Sequence, residues 1–420
     1  MSKIIHRFIL TAALLALTCN IVISFGGLST SGFYSKSQHV SKTGSALART
    51  TTGRELLSSL TSSQDATEQS SSSSSPSTSP DEIFQSFASF LQSKQREIIQ
   101  LLEEADGGSS FSDDKWGCFL SSSEQRTKEP SSNQPRSGGI TRVIQDGNMI
   151  EKGAVSLTVI ERSVLSAERA KTIRGRSGED VREGDMYSAA ALSIVLHTRS
   201  PMVPTFRSDV RIFLVRGSDE EIENVENDED RKRRKDGIAW FGGGADLTPY
   251  YIFEEDIRSF HQTYKDLCDQ HFRDDGKTYK ELKQACDDYF YLPARKEHRG
   301  TGGIFFDDMN ATEDALNFTK GVVSSWMPSW MGIVWKRNVL PYAEQQRQWQ
   351  LLRRGRYLEF NLLYDRGVRF GLAGEHPRVE GVMVSAPPLI AWRYNHEVEE
   401  NSEEAKLIQI LRVPKDWLAQ

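Results

Sequence analysis

Three consecutive glycines, Gly242 to Gly244, stand inside the stretch Trp240-Phe241-Gly242-Gly243-Gly244-Ala245-Asp246-Leu247-Thr248-Pro249-Tyr250. Glycine loses more backbone entropy on folding than any other residue and buries no side chain. A run of it between aromatic residues is therefore a poor means of packing. It predicts a place where the backbone must approach something closely, next to the single carboxylate of Asp246. A fold that accommodates this run needs a rigid frame around it.

The chain supplies that frame in alternating segments. Thr205 to Val215 alternates most regularly, with Phe206, Ser208, Val210, Ile212 and Leu214 facing one way and Arg207, Asp209, Arg211 and Phe213 the other, the period of a half-buried strand. Ala154 to Ile160 and Ala189 to Leu196 read as two further strands, Tyr357 to Tyr364 as another and Glu380 to Ser385 as a short one. Helical spacing marks Glu254 to Phe272, Lys277 to Tyr289 and Glu313 to Met327. Strands outnumber helices and are joined by short connections, which predicts an antiparallel α+β domain.

The N-terminal third has a different composition. Residues 1–54 contain no Asp or Glu and carry Lys3, Arg7, Lys36, Lys42, Arg49 and Arg54. Residues 1–24 read as a signal peptide, with an apolar centre at Ala12 to Leu17. Residues 25–80 combine a transit-peptide-like segment, rich in Ser and Thr, with a serine-rich spacer of low complexity. A signal followed by a transit peptide resembles the two-part address of complex plastids, with a mitochondrion as the alternative. No stable membrane anchor is expected after processing. Within residues 81–137, Asp81 to Glu104 has the spacing of one amphipathic helix, ended by Gly107-Gly108, and an irregular polar linker follows. Residues 138–420 form the main domain.

The net charge of −6 gives no reason to expect nucleic-acid binding. The basic run Arg231 to Lys235 follows the acidic run Asp219 to Asp230 and reads as a solvated loop insertion. The four cysteines, Cys19, Cys118, Cys268 and Cys286, fit neither a disulfide framework nor a zinc site. Asp307-Asp308 lacks a third oxygen ligand at a useful spacing, so a helix cap or loop role is expected there. His261 lies on an apolar helix face and reads as a hydrogen-bonded core histidine.

The glycine stretch resembles the signature of the oxygen-dependent coproporphyrinogen III oxidase family. Three later segments fit the family in order: Arg299-Gly300-Thr301-Gly302-Gly303-Ile304-Phe305-Phe306-Asp307-Asp308, the segment Arg353 to Gly367, and Ser385-Ala386-Pro387-Pro388-Leu389. The resemblance runs from about Gly138 to the C-terminus. It implies a large antiparallel sheet flanked by helices, in a homodimer. It implies a tetrapyrrole substrate with four propionates, two of which are oxidatively decarboxylated with O2 as co-substrate and without metal or organic cofactor. It implies that Asp246 accepts from pyrrole N–H groups, that Ser193, Arg211, Arg378 and Arg299 bind substrate, and that His197 matches a family histidine.

The chain departs from the pattern at several positions. Where the family strand carries His and Asn, this chain has Arg207 and Asp209, on the same face as Arg211. A guanidinium stays protonated and cannot replace an imidazole as a base. Asp209 is the residue left to accept a proton, with Arg207 as an added carboxylate clamp, although two flanking arginines should lower its pKa. Ala294 stands where the family has a histidine. His376-Pro377 stands in place of two glycines, and the run at Ser137-Gly138-Gly139-Ile140 is shortened. Two readings stay open at this point: a divergent oxidase, or a porphyrinogen-binding paralogue that no longer catalyses.

Overall fold

The computed structural model describes residues 78–119, 137–167, 170–171, 173, 181–218, 222–223, 225–274, 276–372 and 378–419. The signal, transit and serine-rich calls lie outside the described residues, as do His376-Pro377 and part of the acidic run. The described residues belong to one compact unit.

Helix α1, Pro80–Asp106, starts where its sequence says it should. The Ser79 hydroxyl accepts from the Glu82 amide, the Glu82 carboxylate accepts from the Ser79 amide, and Pro80 occupies the first turn, a reciprocal cap. Gly107 ends the helix at φ 62°, a left-handed conformation that glycine adopts without strain. Ile83, Phe84, Phe87, Leu91, Ile98 and Leu102 form its buried stripe. The last residue of α1 is tied down by hydrogen bonds: the Asp106 carboxylate accepts from the amides of Gly108, Ser109, Asn148, Met149 and Ile150.

Seven strands form one antiparallel sheet in the order β1-β2-β3-β4-β5-β6-β9. They are β1 Ser112–Gly117, β2 Ser137–Gln145, β3 Ile150–Val164, β4 Met186–Thr198, β5 Thr205–Arg216, β6 Ile238–Thr248 and β9 Gly302–Asn310, with β7 Tyr291–Leu292 and β8 Glu297–His298 as a separate short pair. Helices α2 Asp228–Asp236, α3 Glu254–Phe272, α4 Lys277–Tyr289, α5 Glu313–Ser324, α6 Trp326–Arg337, α7 Glu344–Leu363, α8 Arg366–Leu372, α9 Val379–Val382 and α10 Glu403–Arg412 complete the order, with a 3-10 turn at Met383–Ser385.

The two faces of the sheet differ as the β5 alternation predicts. Phe206, Val210, Ile212 and Leu214 are buried on one face. There Phe87 of α1 packs edge-on against Phe241, Phe260 of α3 and Trp330 of α6 meet Phe206, and Phe318 of α5 meets Phe306. The other face carries Arg207, Asp209 and Arg211 and lies under α4, α7 and the segment that follows α7. Tyr289 of α4 stacks on Phe305, and Tyr357 of α7 packs between Ala154 and Val195.

The glycine run lies on the strand β6, so its partners are neighbouring strands. A Cβ at Gly244 would lie 2.4 Å from the Ile304 carbonyl oxygen, and one at Gly242 would lie 2.8 Å from both Arg211 Nη2 and Asp307 Oδ1. The pairing with β9 also shifts register between Phe241 and Gly243, and glycine is the usual residue at such irregularities.

Several expectations need correction. Tyr357 to Tyr364 is the end of helix α7, not a strand. Its inward residues Arg353, Arg354, Tyr357, Phe360 and Asn361 recur at helical spacing, which a short apolar window conceals. Glu380 to Ser385 is a helical turn followed by the 3-10 turn. The stretch read as a polar linker contributes the edge strand β1, paired with β2. The basic run lies on the helix α2 and is not a loop; most of it faces solvent, but Arg234 turns inward to the buried Asp185 at 2.6 Å. The helix from Glu313 is interrupted at Ser325. Asp307 is neither cap nor loop: it sits on β9, 2.9 Å from Arg211 Nη2.

Candidate active site

The polar face of β5 forms a ladder of ions. Arg207 Nη2 lies 2.7 Å from Asp209 Oδ1, and Arg211 Nη1 lies 2.6 Å from Asp209 Oδ2. Arg211 Nη2 continues to Asp307, whose other oxygen is 3.5 Å from Arg366 of α8. Burial raises the cost of ionising Asp209, but the guanidiniums of Arg207 and Arg211 and their hydrogen bonds outweigh it and hold the carboxyl below its usual range. Asp209 is thus a clamp between two arginines and a weak base. Arg207 keeps its proton, because the neighbouring Asp209 and Asp246 carboxylates overcome the penalty of burial.

Directly across the strand pair, Arg207 of β5 faces Asp246 of β6. Asp246 is a strand residue, not a turn residue, and is 2% exposed. Its Oδ2 accepts from Arg299 Nη2 at 2.6 Å. The Arg299 guanidinium is enclosed by rings, 4.0 Å from the centroid of Phe290, 4.4 Å from Tyr357 and 4.9 Å from Phe360, a stacked arrangement suited to arginine. Asp246 Oδ1 has no hydrogen-bond partner, and neither does Arg207 Nη1. These two atoms lie 3.8 Å apart, too far for a hydrogen bond. Burying an unpaired acceptor beside an unpaired donor is costly, so the pair is poised for a third group.

Open space lies next to Arg207. A cavity of about 190 Å³ opens on this face, floored by Ser156, Ser193 and Arg207, walled by Arg299, Tyr357 and Asn361, and roofed by Asp365, Val368, Val382 and Ser385. The roof is fastened at three points. Lys152 Nζ donates to the Ala386 carbonyl at 2.9 Å, Asn361 Nδ2 donates to Ser385 Oγ at 3.2 Å, and His197 Nε2 lies 3.0 Å from the Ser385 carbonyl.

A carbonyl only accepts, so His197 carries its proton on Nε2 and Nδ1 accepts from the Thr205 hydroxyl. Thr205 then accepts from the Tyr250 hydroxyl at 2.6 Å, which in turn accepts from Arg354. Burial, and then the nearby Arg354 charge, push the His197 pKa well below its ordinary value. His197 is therefore a neutral, oriented latch. His261 is fully buried between the Tyr279 hydroxyl and the Thr301 carbonyl, and burial pushes its pKa down to about 3.

Of the residues singled out from the sequence, Ser193, Arg207 and Arg299 line the cavity. Asp246 stands behind Arg207, and Asp209 and Arg211 continue along the same sheet face. Arg378 is placed elsewhere: it pairs with Asp114 of β1 at 2.6 Å and lies over the ring of Trp116. Arg353 is bound to Glu297, Arg356 to Glu359, and Arg369 reaches only the Tyr364 carbonyl. Ser156, Asn361 and Asp365 were not identified from the sequence. Asn361 and Asp365 lie in the motif segment Arg353 to Gly367, and a helical reading of that segment places Asn361 one turn beyond Tyr357. Ser156 has no sequence signal of its own; it enters through cross-strand pairing with Ser193.

A family profile described as Coproporphyrinogen III oxidase matches residues 86–417, which brings helix α1 inside the match as well. The mitochondrial oxygen-dependent coproporphyrinogen-III oxidase of Rattus norvegicus is 38% identical over 344 residues, 81% of this chain and 70% of that protein. Coproporphyrinogen-III oxidase 1, chloroplastic, of Arabidopsis thaliana is 37% identical over 348 residues, 81% of each. The oxygen-dependent enzyme of Francisella tularensis subsp. novicida is 38% identical over 341 residues, 80% of this chain and 99% of that protein. With the three later motif segments lining one cavity and the match spanning sheet and helices alike, the chain belongs to the coproporphyrinogen III oxidase family.

Proposed function

We propose that this chain oxidatively decarboxylates coproporphyrinogen III to protoporphyrinogen IX, in porphyrin and heme biosynthesis. The observation that carries the reading is Asp246 Oδ1, a buried carboxylate oxygen with no hydrogen-bond partner, 3.8 Å from Arg207, which lines the cavity. A porphyrinogen offers what that oxygen lacks, a pyrrole N–H donor. An ionised acceptor held in a fixed, dry position also stabilises positive charge that develops on the pyrrole. In each of two steps a propionic side chain, –CH2CH2CO2H, reacts with O2 to give –CH=CH2, CO2 and H2O2. The electrons pass from the side chain to O2, and no metal or organic cofactor is invoked. Ser193 and Arg207 bind from the floor of the cavity, and Arg299 fixes Asp246.

An aerobic assay of the purified chain with coproporphyrinogen III tests this. Protoporphyrinogen formed with matching O2 uptake supports the reading. Substrate binding without product would leave a porphyrinogen-binding protein, with Arg207 and Asp209 as the first places to seek the cause.

We further infer a homodimer and a plastid address. Leu362, Leu363, Leu389 and Trp392 are exposed apolar side chains, and Trp392 is hydrogen-bonded to Glu359 on α7, one turn before the two leucines. Exposed apolar side chains on this end of α7 and in the segment after it support association. The curated relatives include mitochondrial and chloroplastic proteins, and a signal-like apolar segment ahead of the acid-free, Ser- and Thr-rich stretch favours the plastid. Residues 1–65 fused to a fluorescent protein should mark plastids; a diffuse cytosolic signal would reject the address.

A further inference from the structure

The roof of the cavity ends in the 3-10 turn Met383–Ser385, and Ala386 follows in extended backbone at φ −67° and ψ 137°. That conformation suits a residue held before a proline, here Pro387. An irregular segment laid over a sheet has no ladder of its own to satisfy its carbonyls. The sheet supplies the donors instead. Lys152 of β3 and His197 of β4 are cross-strand partners, and they donate to the consecutive carbonyls of Ala386 and Ser385. Asn361 of α7 donates to the Ser385 hydroxyl, so Ser385 is held by its backbone and by its side chain.

His197 is not placed to exchange protons with a ligand in the cavity. It is fully buried, it is not among the lining residues, and both ring nitrogens are engaged. A base has to reach the proton it removes. The imidazole instead ends a chain of donors that can run in one direction only. Arg354 spends Nη1 on Glu151 and Nη2 on the Thr198 carbonyl, and its Nε faces the Tyr250 hydroxyl. A guanidinium never accepts, so the Tyr250 proton points away from it, to Thr205. The Thr205 proton then points to His197 Nδ1, and His197 Nε2–H points to Ser385. Reversing any link would set two donors face to face or leave a buried group unpaired, which is costly. Tyr250, Thr205 and Arg354 do not line the cavity, yet the orientation of its roof depends on them.

We propose that His197 is a positioning residue, and that Tyr250 and Thr205 act through it to hold Ser385 and Val382 over the cavity, setting how tightly the macrocycle is seated and not how fast it reacts. The proposal rests on the functional reading above and gives the Ser385-Ala386-Pro387-Pro388 segment a task within it. The prolines stiffen the backbone, and the two carbonyls ahead of them are its points of attachment to the sheet.

Steady-state kinetics with coproporphyrinogen III, together with hydrogen exchange of the segment 378–391, test this. His197→Gln keeps an N–H donor for the Ser385 carbonyl but cannot take up a proton. Its kcat should stay within about threefold of the parent, whereas loss of a general base would cost roughly 100-fold or more. Tyr250→Phe and Thr205→Val break the chain of donors. Each should raise KM roughly 3- to 10-fold, the contribution of one neutral hydrogen bond, with kcat little changed, and each should speed exchange across 378–391. Thr205→Ser, which restores the hydroxyl, should return both readouts to the parent values. A kcat lowered 100-fold in His197→Gln overturns the proposal, and so do KM and exchange left unchanged in Tyr250→Phe and Thr205→Val. If the unaltered chain forms no protoporphyrinogen, the functional reading falls on its own, and exchange in the same variants still decides whether this chain of donors holds the roof.

Discussion

Asp246 shows how little of a site one residue reveals. Its chemistry was legible in the sequence, as a lone acid after three glycines, but its geometry was not. Its opposite number, Arg207, lies far back in the chain and meets it only through the β5–β6 register, and such pairing is invisible to local pattern. By contrast, the shared face of Arg207, Asp209 and Arg211 followed from period two alone. Asp246→Asn keeps the shape and one acceptor while removing the charge. It should lower kcat/KM by roughly 100-fold or more, as removal of a single stabilising group does elsewhere. A rate within a factor of a few of the parent would remove Asp246 from the mechanism. Asp209 gives a prediction in pH. Its folded pKa is depressed, so its contribution to stability is present above the ordinary carboxylate value near 3.8 and is lost as pH falls through the lower, folded value. The destabilisation caused by Asp209→Asn should therefore be larger at pH 7 than at pH 3 in urea unfolding; equal costs at both would show that the ladder contributes nothing.

At the scale of the element, periodic segments were readable and context-dependent ones were not. Helix α1 carries a cap, a stripe and a stop, and β5 alternates without a break, so local propensity and tertiary burial agree. Tyr357 to Tyr364 misleads because its apolar and aromatic residues suit a strand when seen alone. Only the arginines upstream extend the helical spacing. Strand β1 has one apolar side chain, Trp116, among polar residues, and nothing short of its pairing with β2 announces it. The junction of α1 with the β2–β3 turn depends on Asp106, whose carboxylate satisfies five amides. Removing it leaves the buried Met149 and Ile150 amides unpaired, at about 1–3 kcal/mol each where water cannot replace it. Asp106→Ala should lower the thermal midpoint by several degrees, read by circular dichroism, while Asp106→Asn, which keeps a single acceptor oxygen, should recover part of it. A midpoint unchanged in the alanine variant would mean the turn holds without it.

The described residues build a sheet with two occupations, one face given to an apolar core and the other to the ion ladder and its cavity. Both depend on α7, whose Arg354 and Gln350 bind the β4 end through the carbonyl of Thr198, and whose last turns carry the exposed leucines. Association through that patch would couple neighbouring copies to the cavity wall. Trp392→Asp should convert a dimer to a monomer in sedimentation velocity at micromolar concentration. A monomer in the unaltered chain would reject the dimer outright.

Helix α1 has one more consequence, in the order of events. It leads the described chain, yet its stripe rests on strands and on α5, which come later, up to Phe241 and Lys320. During synthesis, the first of the described helices to emerge is thus an amphipathic segment whose covering partners have not yet arrived. Contacts this distant in sequence close late, and the glycine-rich strand must be in place before Phe87 has its seat. Among the described residues the earliest exposed surface is also one of the last to be buried, so the interval between the two is when this segment is most open to a chaperone.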